Sequence, residues 1–111
     1  MGFDKVMTNL LNSVQPIGMA SIIVAGQDNL CCDLAEGAVI LNLNSGTYYG
    51  LNEVGTFVWK LIQEPRPVAE ICEAVVSEYE VSPEQCESDL VRLFEEMAGQ
   101  GLIEVQSEAH R

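Results

Sequence analysis

Residues 38–62 read Ala38-Val39-Ile40-Leu41-Asn42-Leu43-Asn44-Ser45-Gly46-Thr47-Tyr48-Tyr49-Gly50-Leu51-Asn52-Glu53-Val54-Gly55-Thr56-Phe57-Val58-Trp59-Lys60-Leu61-Ile62, and the period of the apolar residues changes once along them. Val39, Leu41 and Leu43 alternate with Ile40 and Asn42, the period of two expected of a strand with at least one buried face. Asn44-Ser45-Gly46 is a hairpin signal, and Thr47, Tyr48 and Tyr49 are residue types that suit a pleated surface. Asn52 can then cap a helix by accepting a hydrogen bond from a free N–H of its first turn. Beyond it Val54, Phe57, Val58, Leu61 and Ile62 recur at helical spacing. The stretch predicts a hairpin feeding a buried helix, with no catalytic group in it.

Working outward, residues 30–34 predict a strand before the hairpin, joined to it by Ala35-Glu36-Gly37. With strands at 38–43 and 47–51 this makes a three-stranded antiparallel meander, because connections this short cannot form a crossover. A first helix covers residues 53–63 and ends at Glu64-Pro65-Arg66-Pro67, since each proline disfavours helix in the residue before it. Pro67 suits the first turn of a second helix reaching Tyr79, where its missing N–H costs nothing. Ser82-Pro83-Glu84-Gln85 opens a third: Ser82 as cap, Pro83 in the first helical position, Gln85 completing a capping box. Its stripe is Cys86, Leu90, Leu93, Phe94 and Met97. Gly99 and Gly101 stop it, and Leu102-Ile103-Glu104-Val105 follows as a short strand or wing. The expected fold is α+β, a three-stranded antiparallel sheet followed by a three-helix winged helix-turn-helix bundle.

Residues 1–27 form an extension. Phe3, Val6, Met7, Leu10, Leu11 and Val14 share one helical face up to Pro16. It reads equally as an amphipathic helix that docks on a neighbour or mediates a dimer and as a frayed tail, since short isolated helices are marginal in water. Residues 17–25 are apolar without clear period and read as extended, 26–29 as a loop, and 106–111 as a flexible tail.

At 111 residues with 48% hydrophobic content the chain is expected to be one globular domain and not a disordered segment. No apolar run approaches the ~20 residues of a membrane span, and the start lacks the pattern of a signal peptide, so the chain reads as cytoplasmic. The net charge is −12, with seventeen acids against five Lys and Arg. Such a chain repels nucleic acid and anionic membranes and favours basic or neutral partners.

Cys31, Cys32, Cys72 and Cys86 show no Cys-x-x-Cys spacing, and the one histidine is His110. No metal site or cofactor is expected, and the cysteines read as small buried thiols. Enzyme chemistry needs a nucleophile or an acid–base pair. The many glutamates of the last two helices read as a solvated face, so the chain is not expected to be an enzyme. A winged-helix transcription regulator is the rival suggested by three helices and a strand. Its would-be recognition helix carries Glu84, Glu87, Asp89, Glu95 and Glu96 against Arg92 alone, which repels phosphates where contact is required. What remains is the outer edge of the third strand, whose N–H and C=O groups could accept a partner strand.

Several elements together resemble the PqqD-like family of peptide-recognition elements. They are the 39–52 run, Gly55 and Trp59, Val68-Ala69-Glu70-Ile71, Tyr79-x-Val81, Asp89-x-x-x-x-Phe94, and Gly101-Leu102-Ile103. The resemblance spans about residues 30–105, within an expected recognition domain at 28–105, and implies non-catalytic binding of the leader of a ribosomally synthesised precursor peptide. It implies that the leader adds to the third strand, against the third helix. By position this sets the edge at Thr47, Tyr48, Tyr49 and Gly50, and the wall at Asp89, Arg92, Leu93 and Glu96. The implied partners are the leader peptide and a separate maturation enzyme. The turn region is most similar to free-standing members that serve a leader peptidase in lasso-peptide systems; a chaperone for a radical-SAM enzyme is the alternative.

Overall fold

The computed structural model describes residues 17–106. The helix expected between Phe3 and Val14, and the tail beyond residue 106, lie outside them. In chain order the elements are β1 (Ile22–Ala25), β2 (Asn29–Leu34), β3 (Gly37–Asn42), β4 (Tyr48–Leu51), α1 (Glu53–Leu61), β5 (Arg66–Pro67), α2 (Val68–Glu78), α3 (Pro83–Gly99) and β6 (Ile103–Gln106). The fold is α+β, with three helices and two three-stranded antiparallel sheets, β2-β3-β4 and β5-β1-β6.

The expected meander is present, with its turns made as the residue types require. Gly46 has φ +74° in the β3–β4 turn, a region that glycine enters at no steric cost. Asn42 is buried at its base, and its Oδ1 accepts from the N–H groups of Asn44 at 3.0 Å and Ser45 at 2.9 Å. The Asn42 Nδ2 donates to Asn29 Oδ1 at 3.0 Å and to the Gly101 carbonyl at 3.5 Å. One amide thus ties the hairpin to β2 and to the turn after α3. A buried amide is retained where its polar atoms are all partnered.

The helix ends follow the capping rules in most cases. Asn52 Oδ1 accepts from Gly55 N–H at 2.8 Å, and Ser82 Oγ accepts from Gln85 N–H at 3.1 Å. Gln85 does not close a capping box: its side chain donates to Asp89 Oδ1 at 3.0 Å, one turn along α3. After α3, Gly101 at φ +77° bonds to Ala98 O, and Leu102 N–H to Met97 O. This is the paired 5→2 and 6→1 pattern that satisfies last-turn carbonyls. Pro67 is the N-cap of α2 instead of its first helical residue, and it offers no side-chain acceptor. The carbonyls of Ser21 and Met19 accept from Val68 and Ala69 N–H instead, so the segment before β1 satisfies donors that would otherwise be orphaned.

The second sheet is the main departure from expectation. The strand expected after α3 exists, but it pairs along β1, with Ile22 opposite Gln106 and Ala25 opposite Ile103. Ile17 and Ile23 are buried in the same core as Ile40, Ile62, Ile71, Phe94 and Met97.

The cysteines divide. Cys72 and Cys86 are buried between α2 and α3, with the Cys86 thiol 3.9 Å from the Cys72 carbonyl. Cys31 and Cys32 are exposed, which corrects the expectation of four buried thiols: α1 lies over β3 and β4 and leaves β2 bare. Burial, and then its contact with Cys72, push the Cys86 thiol up to about 12. Reaction with a thiol-specific chromogenic reagent should therefore consume two thiols quickly in the native protein and four after unfolding, because the thiolate is the reacting form. Four fast thiols under native conditions would contradict this packing.

Candidate functional site

β4 is bonded to β3 on one side only, and no strand of the described residues lies on the other. Its hydrogen-bonding direction follows from the hairpin. The Asn42 N–H donates to the Thr47 carbonyl at 2.9 Å, which makes Asn42 and Thr47 a bonded pair. Opposed residues of an antiparallel pair alternate between bonded and non-bonded. With Tyr48 opposite Leu41, Tyr49 opposite Ile40 and Gly50 opposite Val39, Tyr49 turns its backbone groups to β3. Tyr48 and Gly50 turn theirs outward. The free edge therefore offers the N–H and C=O of Tyr48 and of Gly50.

Side chains alternate the other way. Leu51 is buried and Tyr49 half-buried on the helix side, whereas Tyr48 is exposed on the far face. The Tyr49 hydroxyl donates to Glu96 Oε1 at 2.8 Å, pinning β4 to α3. Burial first, then the bond to Glu96 and its charge, push the Tyr49 phenol up to about 12, so it stays a donor throughout the neutral range.

Between β4 and α3 lies an open groove of about 590 Å³. Its apolar lining comes from Val54 and Val58 of α1, Val75 of α2, Val81, and Leu90 and Leu93 of α3. Its charged lining is Glu80, Asp89, Arg92 and Glu96, three carboxylates against one guanidinium. Asp89, Arg92 and Glu96 are exposed and Leu93 half-buried. The groove can hold the apolar side chains of an extended peptide whose backbone runs along Tyr48 and Gly50, and its charge favours a basic residue nearby. A second hollow, about 800 Å³ and more open, lies across α1 and is lined by Asp33, Leu34, Glu36, Phe57, Lys60 and Tyr79, among others. None of the β4 residues borders it.

Of the eight residues expected at the site, the groove brings together Tyr49, Gly50, Asp89, Arg92, Leu93 and Glu96. Thr47 and Tyr48 do not line it. Thr47 precedes the strand and shares a 2.7 Å hydrogen bond with Ser45, and Tyr48 contributes only its backbone to the edge. Val58 and Val75 border the groove from beneath but are buried in the core, as their helical stripes read; half-buried Val54 is the wall residue that was not expected there. Among the described residues no cluster of His, Cys, Asp or Glu could hold a metal ion, and no helix is long and apolar enough to cross a membrane.

The family described as coenzyme PQQ synthesis protein D (PqqD) matches residues 37–103. A solved structure, TbiB1 in complex with the TbiA(beta) leader peptide, is similar to this chain with a TM-score of 0.67 and 28% identity. The likeness covers 79% of this chain and 98% of that one. No curated protein matches.

Proposed function

This chain belongs to the PqqD family, and from that membership we propose that it binds the leader region of a ribosomally synthesised precursor peptide and delivers it to a separate maturation enzyme, the leader peptidase of a lasso-peptide system. The leader joins the sheet as a strand beside β4. Its backbone bonds to the outward groups of Tyr48 and Gly50, and its apolar side chains enter the groove against Leu93. Thr47 and Tyr49 frame the edge; Asp89, Arg92 and Glu96 set the charge along the wall. The observation that carries this reading is the open β4 edge lying directly beside an apolar groove. Similarity to a chain solved with a leader peptide supports it. The chain performs no covalent step: it raises the local concentration of the precursor beside the enzyme.

Fluorescence anisotropy of a labelled leader peptide tests the reading directly. Saturable binding is expected, and mass spectrometry should return precursor incubated with this chain alone unchanged. Cleaved or modified peptide in that incubation would make the chain an enzyme. The net charge of −12 adds a kinetic expectation. Association with a basic leader should slow as salt rises, because the Debye length falls from ~30 Å at 0.01 M to ~8 Å at 0.15 M. A salt-independent on-rate would reduce the charge to a solubility feature.

A further inference from the structure

The meander has a second free edge. β2 is bonded to β3 on one side, and no strand of the described residues lies on the other. The Leu43 N–H donates to the Asp28 carbonyl at 2.8 Å, which makes those two a bonded pair. The register sets Leu30 opposite Leu41, Cys31 opposite Ile40, Cys32 opposite Val39 and Asp33 opposite Ala38. Alternation then turns the backbone of Leu30 and Cys32 to β3, and the N–H and C=O of Cys31 and Asp33 face outward. Ile40 and Ala38 are buried on the helix side, so the side chains of Cys31 and Asp33 take that side too, beyond the cover of α1. The open hollow of about 800 Å³ lies there, lined by Asp33 and Glu36 from the sheet and by Glu53, Phe57 and Lys60 from α1. Tyr79 also lines it, its ring edge-on to Phe57 with centroids 5.5 Å apart. β2 thus repeats what β4 presents: two outward backbone pairs beside a hollow walled by a helix.

We propose that the β2 edge is a second strand-acceptor site, filled by an extended basic stretch of the same precursor that lies outside the leader. The proposal rests on the leader-binding reading and adds to it a second point of attachment. Charge selects the occupant. The hollow sets three exposed carboxylates, Asp33, Glu36 and Glu53, against Lys60, the same balance as in the groove beside β4. Phe57 and Tyr79 add aromatic rings, whose faces attract a Lys or Arg side chain. A second copy of a chain with net charge −12 would be repelled from an edge that carries Asp33. Alternate residues of a strand share one face, so the matching stretch carries Lys or Arg at every second position. Tethering selects the precursor over a free peptide. Once the leader is held at β4, the rest of that peptide is present at about millimolar local concentration. Strands added at the two edges lie four strand spacings apart, ~19 Å, so at least about six residues must separate the two stretches.

The probes are labelled full-length precursor and its isolated leader, compared by anisotropy. Precursor should bind the parent at least ten-fold more tightly than leader. Asp33→Lys combined with Glu36→Lys should abolish that advantage and leave leader affinity within two-fold of the parent. Glu73→Lys combined with Glu95→Lys changes the net charge equally at exposed positions that border neither hollow nor groove, and should keep the advantage. Circular dichroism checks the folding of both. Cys31 and Cys32 give a local readout in the parent itself, because successive side chains of a strand lie on opposite faces. Precursor should slow alkylation of Cys31 by iodoacetamide at least five-fold and that of Cys32 less than two-fold, and leader alone should slow neither. The proposal is overturned if precursor binds no more tightly than leader, or if Cys31 stays unprotected. It is overturned equally by an advantage that survives the Asp33 and Glu36 changes, or that the charge control also loses. Protection of Cys31 in the free chain that dilution relieves overturns it in favour of a second copy. If leader fails to bind the parent, the β4 reading fails by itself. A synthetic hexapeptide alternating arginine and valine, at millimolar concentration, then decides this one by whether it slows Cys31.

Discussion

Gly50→Pro is expected to weaken leader binding by roughly ten- to a hundred-fold while the protein stays folded. The combination follows from the alternation along β4. The Gly50 N–H points away from β3, and proline is tolerated on an edge strand where the lost N–H faced solvent. The fold therefore loses no ladder bond. A leader strand loses its donor at that point, and a buried acceptor left without one costs about 1–3 kcal/mol, the origin of the fold-change. The ring also stands in the path of the incoming backbone. Gly50→Ala is the matched control: nothing lies within 4 Å of where its Cβ would go, and the N–H remains, so binding should persist. Leu93→Glu probes the groove from the other side, adding a charge beside Asp89 and Glu96 where apolar leader residues would be buried. If Gly50→Pro and Leu93→Glu are folded by circular dichroism and bind as tightly as the parent by anisotropy, the leader docks elsewhere.

The largest effect on stability is expected at Gly37. Its φ is +155°, and a Cβ there would collide with the carbonyl oxygen of Leu51. That oxygen belongs to backbone at the end of β4, next to the α1 cap, so it cannot swing aside as a side chain would. Gly37→Ala must either part β3 from β4 or twist the β2–β3 turn, at a cost on the order of 2–4 kcal/mol. For a domain of this size that lowers Tm by roughly 10–20 °C. Thermal denaturation followed by circular dichroism reads it out, and a shift under about 3 °C would mean that the close approach of Gly37 and Leu51 is absent in solution.

The meander and the three helices were legible because each carries its own period and its own end signals. Alternation from Val39 to Leu43, the caps at Asn52 and Ser82, and the glycines after α3 are local properties, and local chemistry sufficed to place them. The second sheet was not legible. Residues 17–25 are apolar without clear period, a two-residue strand at Arg66–Pro67 has no pattern to read, and both are fixed by pairing with distant segments. Cys31 and Cys32 failed for a related reason. Strand periodicity assigns them to opposite faces, but whether a helix covers either face is a tertiary fact. At the site, resemblance to a family supplied the edge and the α3 wall. The contribution of Val54 was hidden, because an apolar residue facing a groove looks the same in sequence as one facing a core.

The pairing of β1 with β6 also orders the events of synthesis. A ribosome delivers the meander and α1 before α2 and α3, and their contacts are close in sequence, so they can assemble while the rest of the chain is still being made. The recognition edge then exists before α3, its wall, has emerged. β1 is made earliest of all the described strands, yet its partner along Ile22–Ala25 is the last of the described elements to be made. Until residues 103–106 emerge, one flank of β1 lacks its partner strand. A nascent chain stalled before that point would carry the β4 edge it needs for its cargo together with a second, unwanted edge at β1, the kind of exposed edge that recruits other chains.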